Sequence, residues 1–408
     1  MTSLVETYGY NSGGETFTIA DPNEVWLLEM QGCGGDKKQK VVWVAVRIPD
    51  GMISAHANQS RIGQFSTYNT EVITSKNCTS FARSKGWFTG KDKDFNWKMT
   101  YAAPDFGGRR WCDARVWSYL NHFKDMSRWL PWALGKDPNA EDMPLWIAPD
   151  KKVDLPKMEA CMRDHYEGTS MDMVEEPGSG AYKVPYRWRP MNFTVDGQKY
   201  LHERAIATQQ TGFVIVPQMR NWLPDEIGGI LWFGVDDANT AVLTPMYTSI
   251  TEVPECYRRG NGSMTEFSWT SAFWIHNWVA NMAYHRYEPM IRDIRPVQKA
   301  LEDSYVDLVK DADARALELY KTDPAKASAF LTQLCAKVAN ETTARWKQLG
   351  EYLLVKYMDG NVKKEKDGKF EENGYGQIVM PNFPGYSQDY YDQVAKSGEA
   401  KHLEVPEK

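Results

Sequence analysis

Two runs of apolar residues near the start of the chain place the strongest constraint on its fold. "EVWLLEM" begins at residue 24 and "VVWVAVRI" at residue 41, and a glycine-rich basic stretch separates them. Both runs are nearly continuous in apolar residues, which is typical of strands that are covered on both faces. Phe17 and Ile19 alternate with other residues and extend the strand pattern upstream. The sequence therefore predicts a buried sheet within a layered architecture of helices and strands.

Helical and strand patterns follow one another along the rest of the chain. Residues 66–180 mix loops with short helical segments, and strand signals return in "ERAIATQQTGFVIVPQM" and "IGGILWFGVDD". From about residue 269 the apolar spacing becomes that of long helices. The final part is rich in Gly, Lys, Tyr and Pro. The sequence thus predicts three parts. They are a core at residues 1–268, a helical extension at residues 269–358 and an irregular tail at residues 359–408.

The composition argues against several classes of function. The 408 residues carry a net charge of −6, and no long block of Lys or Arg indicates a nucleic-acid surface. No apolar run reaches the length of about 18 residues that a membrane-spanning helix needs. The seven histidines lack metal-binding spacing, and the six cysteines form no C-x-x-C pair. We expect free thiols, no metal or other cofactor, and no nucleic-acid or membrane partner.

The stretch "GMISAHANQSRIGQF" does not fit a purely structural interpretation. Met52, Ile53 and Ala55 have the pattern of a buried strand, yet four hydrogen-bonding side chains follow them directly at positions 56, 58, 59 and 61. Buried polar groups need partners or a function. Asn58 could donate its amide N–H to a developing oxyanion, as acyl transfer requires. It could equally stabilise a turn, and both interpretations stay open at this point.

Several longer stretches resemble a known family, and the resemblance runs nearly from end to end. It is carried by "ETYGYNSGGETFTIADPNEVWLLEM", "VVWVAVRIPDGMISAHANQSRI", "MRDHYEGT", "PYRWRP", "ATQQTGF" and "RNWLPDEIGGILWFGVDDA". Together they resemble the peptidase D type dipeptidases, which are N-terminal-nucleophile hydrolases related to penicillin V acylase and bile-salt hydrolase. The resemblance implies an α+β fold, namely an αββα sandwich of two facing sheets flanked by helices. It also implies that dipeptides are the substrate and that no metal is required.

The resemblance implies a nucleophile that this chain does not match. In the family an N-terminal cysteine, released by removal of the preceding residues, attacks the peptide carbonyl and its own α-amino group acts as the base. Here the chain begins with Met1, and the first cysteine, Cys33, lies in the glycine-rich loop between two strands. We expect the chain to lack the nucleophile and the first strands of the sandwich. Residues 1–408 alone are therefore expected to be inactive.

The resemblance implies a catalytic role for two residues of this chain. Asn58 matches the asparagine that relatives place beside the thiol as an oxyanion or substrate-amide partner. Arg115 is the best match for the arginine that relatives bring near the nucleophile, although Arg109 and Arg110 compete with it.

Two further residues flank Asn58 and are predicted to bind substrate. His56 and Arg61 are suited to contact the terminal carboxylate of a dipeptide, Arg61 especially because a guanidinium can bind a carboxylate with two hydrogen bonds. Each could equally serve as a structural cap.

Other functions remain open from the sequence. A non-catalytic module could use the same fold and its tryptophans to bind peptides, and an amidase could act on N-acyl amino acids or bile-salt-like amides. The expected partner is a dipeptide or small peptide, and a homo-oligomer is compatible with the sequence. The compartment stays open between the cytoplasm and export, because an export signal would lie upstream.

Overall fold

The structure, a computed structural model, describes residues 13–21, 23–34, 40–65, 70–398 and 400–405. The chain divides into two compact units, of which the first comprises Met1–Asp164 and Glu203–Ile206 and the second His165–His202 and Ala207–Lys408. Each unit combines helices with antiparallel strands, which confirms the predicted α+β class. The αββα sandwich and the predicted three-part division of the chain remain predictions.

The strands of the first unit form one main sheet and one short ladder. They are β1 (Gly14–Ala20), β2 (Val25–Gly32), β3 (Val41–Ile48), β4 (Ile53–Ser54), β5 (Val72–Thr74) and β6 (Trp146–Ile147). The main sheet is antiparallel with the strand order β1-β2-β3-β5. β4 pairs with β6. The two apolar runs of the sequence are therefore the central strands β2 and β3.

Short helices complete the first unit. They are α1 (Cys78–Ser84), α2 (Trp97–Tyr101), α3 (Ala114–Asn121), α4 (Leu130–Leu134) and α5 (Leu155–Met162). A π-helical turn over Gly108–Asp113 runs directly into α3. Such turns place one extra residue in a helix and frequently occur at functional sites.

The core of the first unit lies against one face of the main sheet. Val42 and Val44 on β3 are completely buried and pack in a cluster with Phe81, Phe95 and Trp97. The opposite face carries a smaller cluster of buried residues. Because β2 buries residues on both faces from position 27 to 30, its sequence reads as a continuous apolar run rather than an alternating one.

The predicted buried strand at Met52, Ile53 and Ala55 is wrong. β4 contains only two residues, Met52 is 36% exposed, and Ala55 is half-buried. The partner strand β6 is equally short, so the ladder ends before the polar residues begin. The polar residues at positions 56, 58, 59 and 61 therefore lie in a loop after β4 and not inside a sheet.

The strands of the second unit form a three-stranded sheet and two hairpins. They are β7 (Asn192–Val195), β8 (Gln198–Leu201), β9 (Phe213–Met219), β10 (Gly229–Val235), β11 (Thr244–Tyr247), β12 (Glu365–Lys366) and β13 (Lys369–Phe370). The larger sheet is antiparallel with the order β11-β10-β9, and β7 pairs with β8 and β12 with β13. β9 and β10 correspond to the predicted strand signals.

Helices of very different lengths dominate the second unit. They are α6 (Asp225–Gly228), α7 (Ala272–His285), α8 (Tyr287–Thr322), α9 (Pro324–Tyr357) and α10 (Gln388–Lys396). The helical region expected from about residue 269 to 358 is thus confirmed as α7, α8 and α9. Within the described part of the chain, no helix has both the length and the apolar character that crossing a bilayer requires.

A glycine permits the close approach of α9 to α7. Gly350 lies inside α9, where glycine ordinarily weakens a helix because it adds backbone freedom to the unfolded chain. A Cβ atom at this position would collide with the six-membered ring of Trp278 on α7. The glycine is therefore explained by packing between the two helices.

We expect Gly350→Ala to destabilise the protein, although the same change at an open helix position raises stability by about 1 kcal/mol. Overpacking against the Trp278 ring should lower the free energy of unfolding by about 1–3 kcal/mol. Urea unfolding of the two proteins measures the difference. The control is the same change in a Trp278→Leu background, where the loss should disappear. An equal stabilisation in both backgrounds would contradict the packing explanation.

Candidate functional site

A buried carboxylate fixes the loop that follows β4. Glu29 lies on β2 and is 2% exposed. Its Oε1 accepts hydrogen bonds from the backbone N–H groups of Arg61 at 2.6 Å and Ile62 at 3.1 Å, and its Oε2 accepts one from the Ser60 hydroxyl. Burial raises the pKa of this carboxyl, while these donors act in the opposite direction. The central strand β2 therefore holds the loop in place at residues 60–62.

The two predicted catalytic residues lie in direct contact. Asn58 has a φ angle of 57°, a left-handed conformation that asparagine tolerates better than most residues. Its Oδ1 accepts a hydrogen bond of 3.0 Å from Nη2 of Arg115 on α3. The guanidinium is held in turn by the carbonyl oxygen of Trp111, which accepts from its Nε at 2.5 Å. The Asn58 amide donates only through Nδ2, and the bond from Arg115 to Oδ1 fixes the orientation of that donor.

The two competing arginines have other partners. Arg109 stacks on the ring of Trp132, with its guanidinium carbon 3.8 Å from the ring centroid. Arg110 is buried and forms an ion pair with Glu203. The arginine bonded to Asn58 is therefore Arg115.

Asn58 lines a polar cleft with a volume of about 240 Å³. The cleft is bounded by β1, β2, the loop after β4 and the start of α2, and its lining residues are Gly14, Glu15, Thr16, Glu29, Met30, Gln31, His56, Asn58, Gln59, Ser60, Trp97 and Ala102. Hydroxyl, amide and carboxyl groups predominate. Such a surface is suited to a small ligand with several hydrogen-bonding groups.

His56 lies at the edge of this cleft, where its surroundings favour the neutral imidazole. Burial lowers the pKa of its imidazole, and the positive charge of Arg61 lowers it further. Its Nε2 lies 3.5 Å from the hydroxyl of Thr18 on β1. Near neutral pH this side chain can form hydrogen bonds with a substrate but does not supply a positive charge for a carboxylate.

The predicted role of Arg61 in binding a substrate carboxylate is not supported by its position. Its side chain is completely buried, and Nη2 donates to the carbonyl oxygen of Pro144 at 2.6 Å. Nη1 lies 4.0 Å from the buried carboxylate of Asp113. A guanidinium enclosed in this way cannot reach a ligand in the cleft without rearrangement of the core, so Arg61 has a structural role in this unit.

The six cysteines lie in positions unsuited to nucleophilic attack. Cys33, Cys78, Cys161, Cys256 and Cys335 are buried, and Cys112 is half-buried. Burial raises the pKa of Cys78 and Cys161 to about 12 and that of Cys335 to about 11. It also raises the pKa of Cys112, although the neighbouring Arg115 acts in the opposite direction. The thiolate is the reactive form, so each of these shifts lowers reactivity.

Within the described residues, no group of three or more His, Cys, Asp and Glu side chains has an arrangement that could hold a metal ion. The absence of a cofactor remains a prediction.

Glu29 is the residue of this site that the sequence analysis did not identify. The signal was a single acidic residue inside the apolar run "VWLLEM". A carboxylate at such a position must be paired when it is buried. Its partners, however, lie more than 30 residues away in the sequence, so the pairing is visible only in the folded chain.

We expect Glu29→Leu to lower the free energy of unfolding by about 2–5 kcal/mol, because the Ser60 hydroxyl and two backbone N–H groups lose their acceptor. Glu29→Gln keeps one acceptor oxygen and should lower the free energy of unfolding by less than about 2 kcal/mol. Urea unfolding of both variants measures these changes. Equal losses for Leu and Gln would show that the carboxyl oxygens do not hold the loop.

Relatives named dipeptidases match most of this chain. Probable dipeptidase B of Lactococcus lactis subsp. lactis (strain IL1403) is 25% identical over 301 residues, which are 72% of this chain and 55% of the relative. A probable dipeptidase of Latilactobacillus sakei is 24% identical over 347 residues, 84% of this chain and 64% of the relative. Dipeptidase A of Lactobacillus helveticus is 22% identical over 287 residues, 70% of this chain and 52% of the relative.

The chain thus spans about half to two thirds of the length of these curated relatives. The sequence profile of peptidase family C69 matches residues 1–300, which include the Asn58 loop and α3 with Arg115. This match covers more than half of the 408 residues. It confirms the resemblance to dipeptidases seen in the sequence. The chain therefore belongs to peptidase family C69.

Proposed function

We propose that the full-length protein is a dipeptidase that hydrolyses dipeptides through a cysteine nucleophile. The contact between Asn58 and Arg115 carries the proposal, because it joins the two residues that the family resemblance matches to the catalytic centre. Family membership and the relatives named dipeptidases support the same substrate class. The proposal includes the αββα fold of N-terminal-nucleophile hydrolases, with its first strands supplied by sequence outside these 408 residues.

In the proposed reaction, Asn58 stabilises the charge that develops on the substrate carbonyl. The cysteine thiolate attacks the peptide carbon, its proton having passed to the α-amino group, and the carbonyl oxygen becomes an oxyanion. Nδ2 of Asn58 donates to that oxygen. The C–N bond then breaks, the leaving amine takes the proton from the α-amino group, and a thioester remains. Water attacks the thioester, which releases the other amino acid and restores the thiol.

Arg115 acts in this proposal through Asn58. Its guanidinium holds the Asn58 Oδ1 and thereby fixes the direction in which Nδ2 points. A donor that is oriented before the reaction needs no reorganisation in the transition state, which is the basis of oxyanion stabilisation. The positive charge beside the amide also favours a negative oxygen nearby.

The nucleophile of this proposal is none of the six thiols in the chain. Five are buried, and the half-buried Cys112 has a raised pKa. The base would have to be the α-amino group of the same cysteine, which none of these internal residues possesses. The proposed nucleophile therefore lies in sequence outside residues 1–408.

We expect residues 1–408 alone to hydrolyse no dipeptide, whereas the protein as its native source produces it hydrolyses dipeptides. Assays of both with a dipeptide panel and with N-acyl amino acids measure this difference. Turnover by residues 1–408 would contradict the proposed nucleophile. Hydrolysis of N-acyl amino acids alone would favour the amidase, and peptide binding without turnover by both proteins would favour the non-catalytic module.

In the full-length protein, we expect Asn58→Asp to lower kcat by about 100- to 1000-fold, because the carboxylate cannot donate a hydrogen bond to the oxyanion. Asn58→Gly should cause a comparable loss of kcat. Steady-state hydrolysis of a good dipeptide substrate measures both.

The glycine variant is also the backbone control, because glycine adopts the left-handed conformation of residue 58 without strain. If Asn58 only stabilised a turn, Asn58→Gly would retain a kcat within about threefold of the unchanged protein, since glycine adopts the same left-handed conformation at no steric cost. That result would remove Asn58 from the catalytic centre.

A further inference from the structure

Another cavity of the first unit is larger than the polar cleft. Its volume is about 440 Å³, compared with about 240 Å³ for the cleft. Leu27, Ile48 and Phe123 form its floor and are at most 7% exposed. The half-buried side chains of Val153 and Met158 contribute to its wall. We call this space the apolar cavity.

The apolar cavity adjoins the site that contains Asn58. His56 lines both the polar cleft and the apolar cavity. Thr16 lines the cleft and Thr18 the cavity, and residues two apart in a strand point to the same face of β1. A ligand that fills the apolar cavity therefore contacts His56, which also lines the cleft in which Asn58 lies.

The charged residues that line the apolar cavity are acidic. Asp21, Glu24 and Asp50 contribute to its wall, and no Lys or Arg belongs to its lining in the described part of the chain. Arg47 pairs with Glu24 at 3.3 Å and with Asp50 at 2.7 Å, so one cation faces two of these carboxylates. Backbone N–H groups that bond to the carboxylate lower the pKa of Asp21. Among the described residues, the three carboxylates of the lining thus outnumber the two cations close to it, which are Arg47 and the Lys157 ammonium group 6.0 Å from the centroid of the Phe123 ring.

We propose that the apolar cavity binds the N-terminal residue of a dipeptide, taking a large apolar side chain beside a free α-ammonium group. This inference rests on the proposed dipeptidase function. The apolar floor favours the side chain, the acidic residues attract the ammonium group, and they repel the C-terminal carboxylate. The scissile carbonyl belongs to the N-terminal residue, so this orientation directs the carbonyl past His56 toward Asn58.

Three probes test the site by binding to the full-length protein. Leucinamide combines an apolar side chain with an α-ammonium group, glycinamide has the ammonium group alone, and N-acetyl-leucine has the side chain with a carboxylate. We expect leucinamide to bind at least about tenfold more tightly than glycinamide, because burial of a leucine side chain favours binding to that extent. Leucinamide should also bind more tightly than N-acetyl-leucine by a similar factor. Added salt should reduce the difference in affinity between leucinamide and N-acetyl-leucine, because salt screens the charges.

A matched pair of substitutions assigns the binding to the apolar cavity. Val153→Trp fills the cavity and should abolish the advantage of leucinamide over glycinamide. Ile73→Trp introduces the same side chain at a position of β5 that is 50% exposed and does not line the cavity, so it should leave the advantage intact. Equal effects of the two variants, or no advantage of leucinamide in the unchanged protein, would overturn the proposal.

An enlarging substitution keeps the test decisive if Val153→Trp does not fold. Met158→Ala removes part of the cavity wall and should shift the preference from leucinamide toward tryptophanamide. An unchanged ratio of the two affinities would overturn the proposal.

Hydrolysis by the full-length protein separates this inference from the proposed function. We expect kcat/KM for Leu-Ala to exceed that for Ala-Leu, with the difference lost in Val153→Trp. A preference for Ala-Leu would overturn the orientation while leaving the dipeptidase function in place. If leucinamide bound as expected but no dipeptide were hydrolysed, the proposed function would fail and the binding site would remain.

Discussion

The carboxylate of Glu29 is the constraint on which the candidate site depends. It is buried on a central strand, and it accepts hydrogen bonds from a hydroxyl and from two backbone N–H groups of the loop after β4. A loop of polar residues buries few apolar side chains that would fix its conformation. Tying it to the sheet holds Asn58 in a left-handed conformation within reach of Arg115 on α3. Two segments almost 60 residues apart thus meet at one polar cleft.

The sequence allowed the long elements to be predicted because their physical signals are local. β2 and β3 are nearly continuous in apolar residues, and α7, α8 and α9 carry helical spacing over many turns. The buried strand expected at positions 52–55 failed for the opposite reason. Its extent is limited by the two-residue partner β6, which lies about 90 residues away and has no signal within the stretch itself.

The candidate site was predictable only in part, since its chemistry depends on long-range pairing. Asn58 and Arg115 could be named from family resemblance, and the structure brings them into contact. Arg61 looked like a ligand for a carboxylate, but it points into the core toward Asp113. The direction of the Arg61 side chain depends on Asp113 and Pro144, which lie more than 50 residues away in the sequence. Glu29 was missed because its partners lie on a distant loop.

The most direct test of the account is to find which thiol reacts first in the full-length protein as its native source produces it. Limited alkylation with iodoacetamide, with and without a dipeptide, followed by mass mapping identifies that residue. We expect labelling of an N-terminal cysteine outside these 408 residues, protected by the dipeptide, while the six thiols described here stay unlabelled. Substrate-protected labelling of Cys112, which lies beside Arg115, would contradict it.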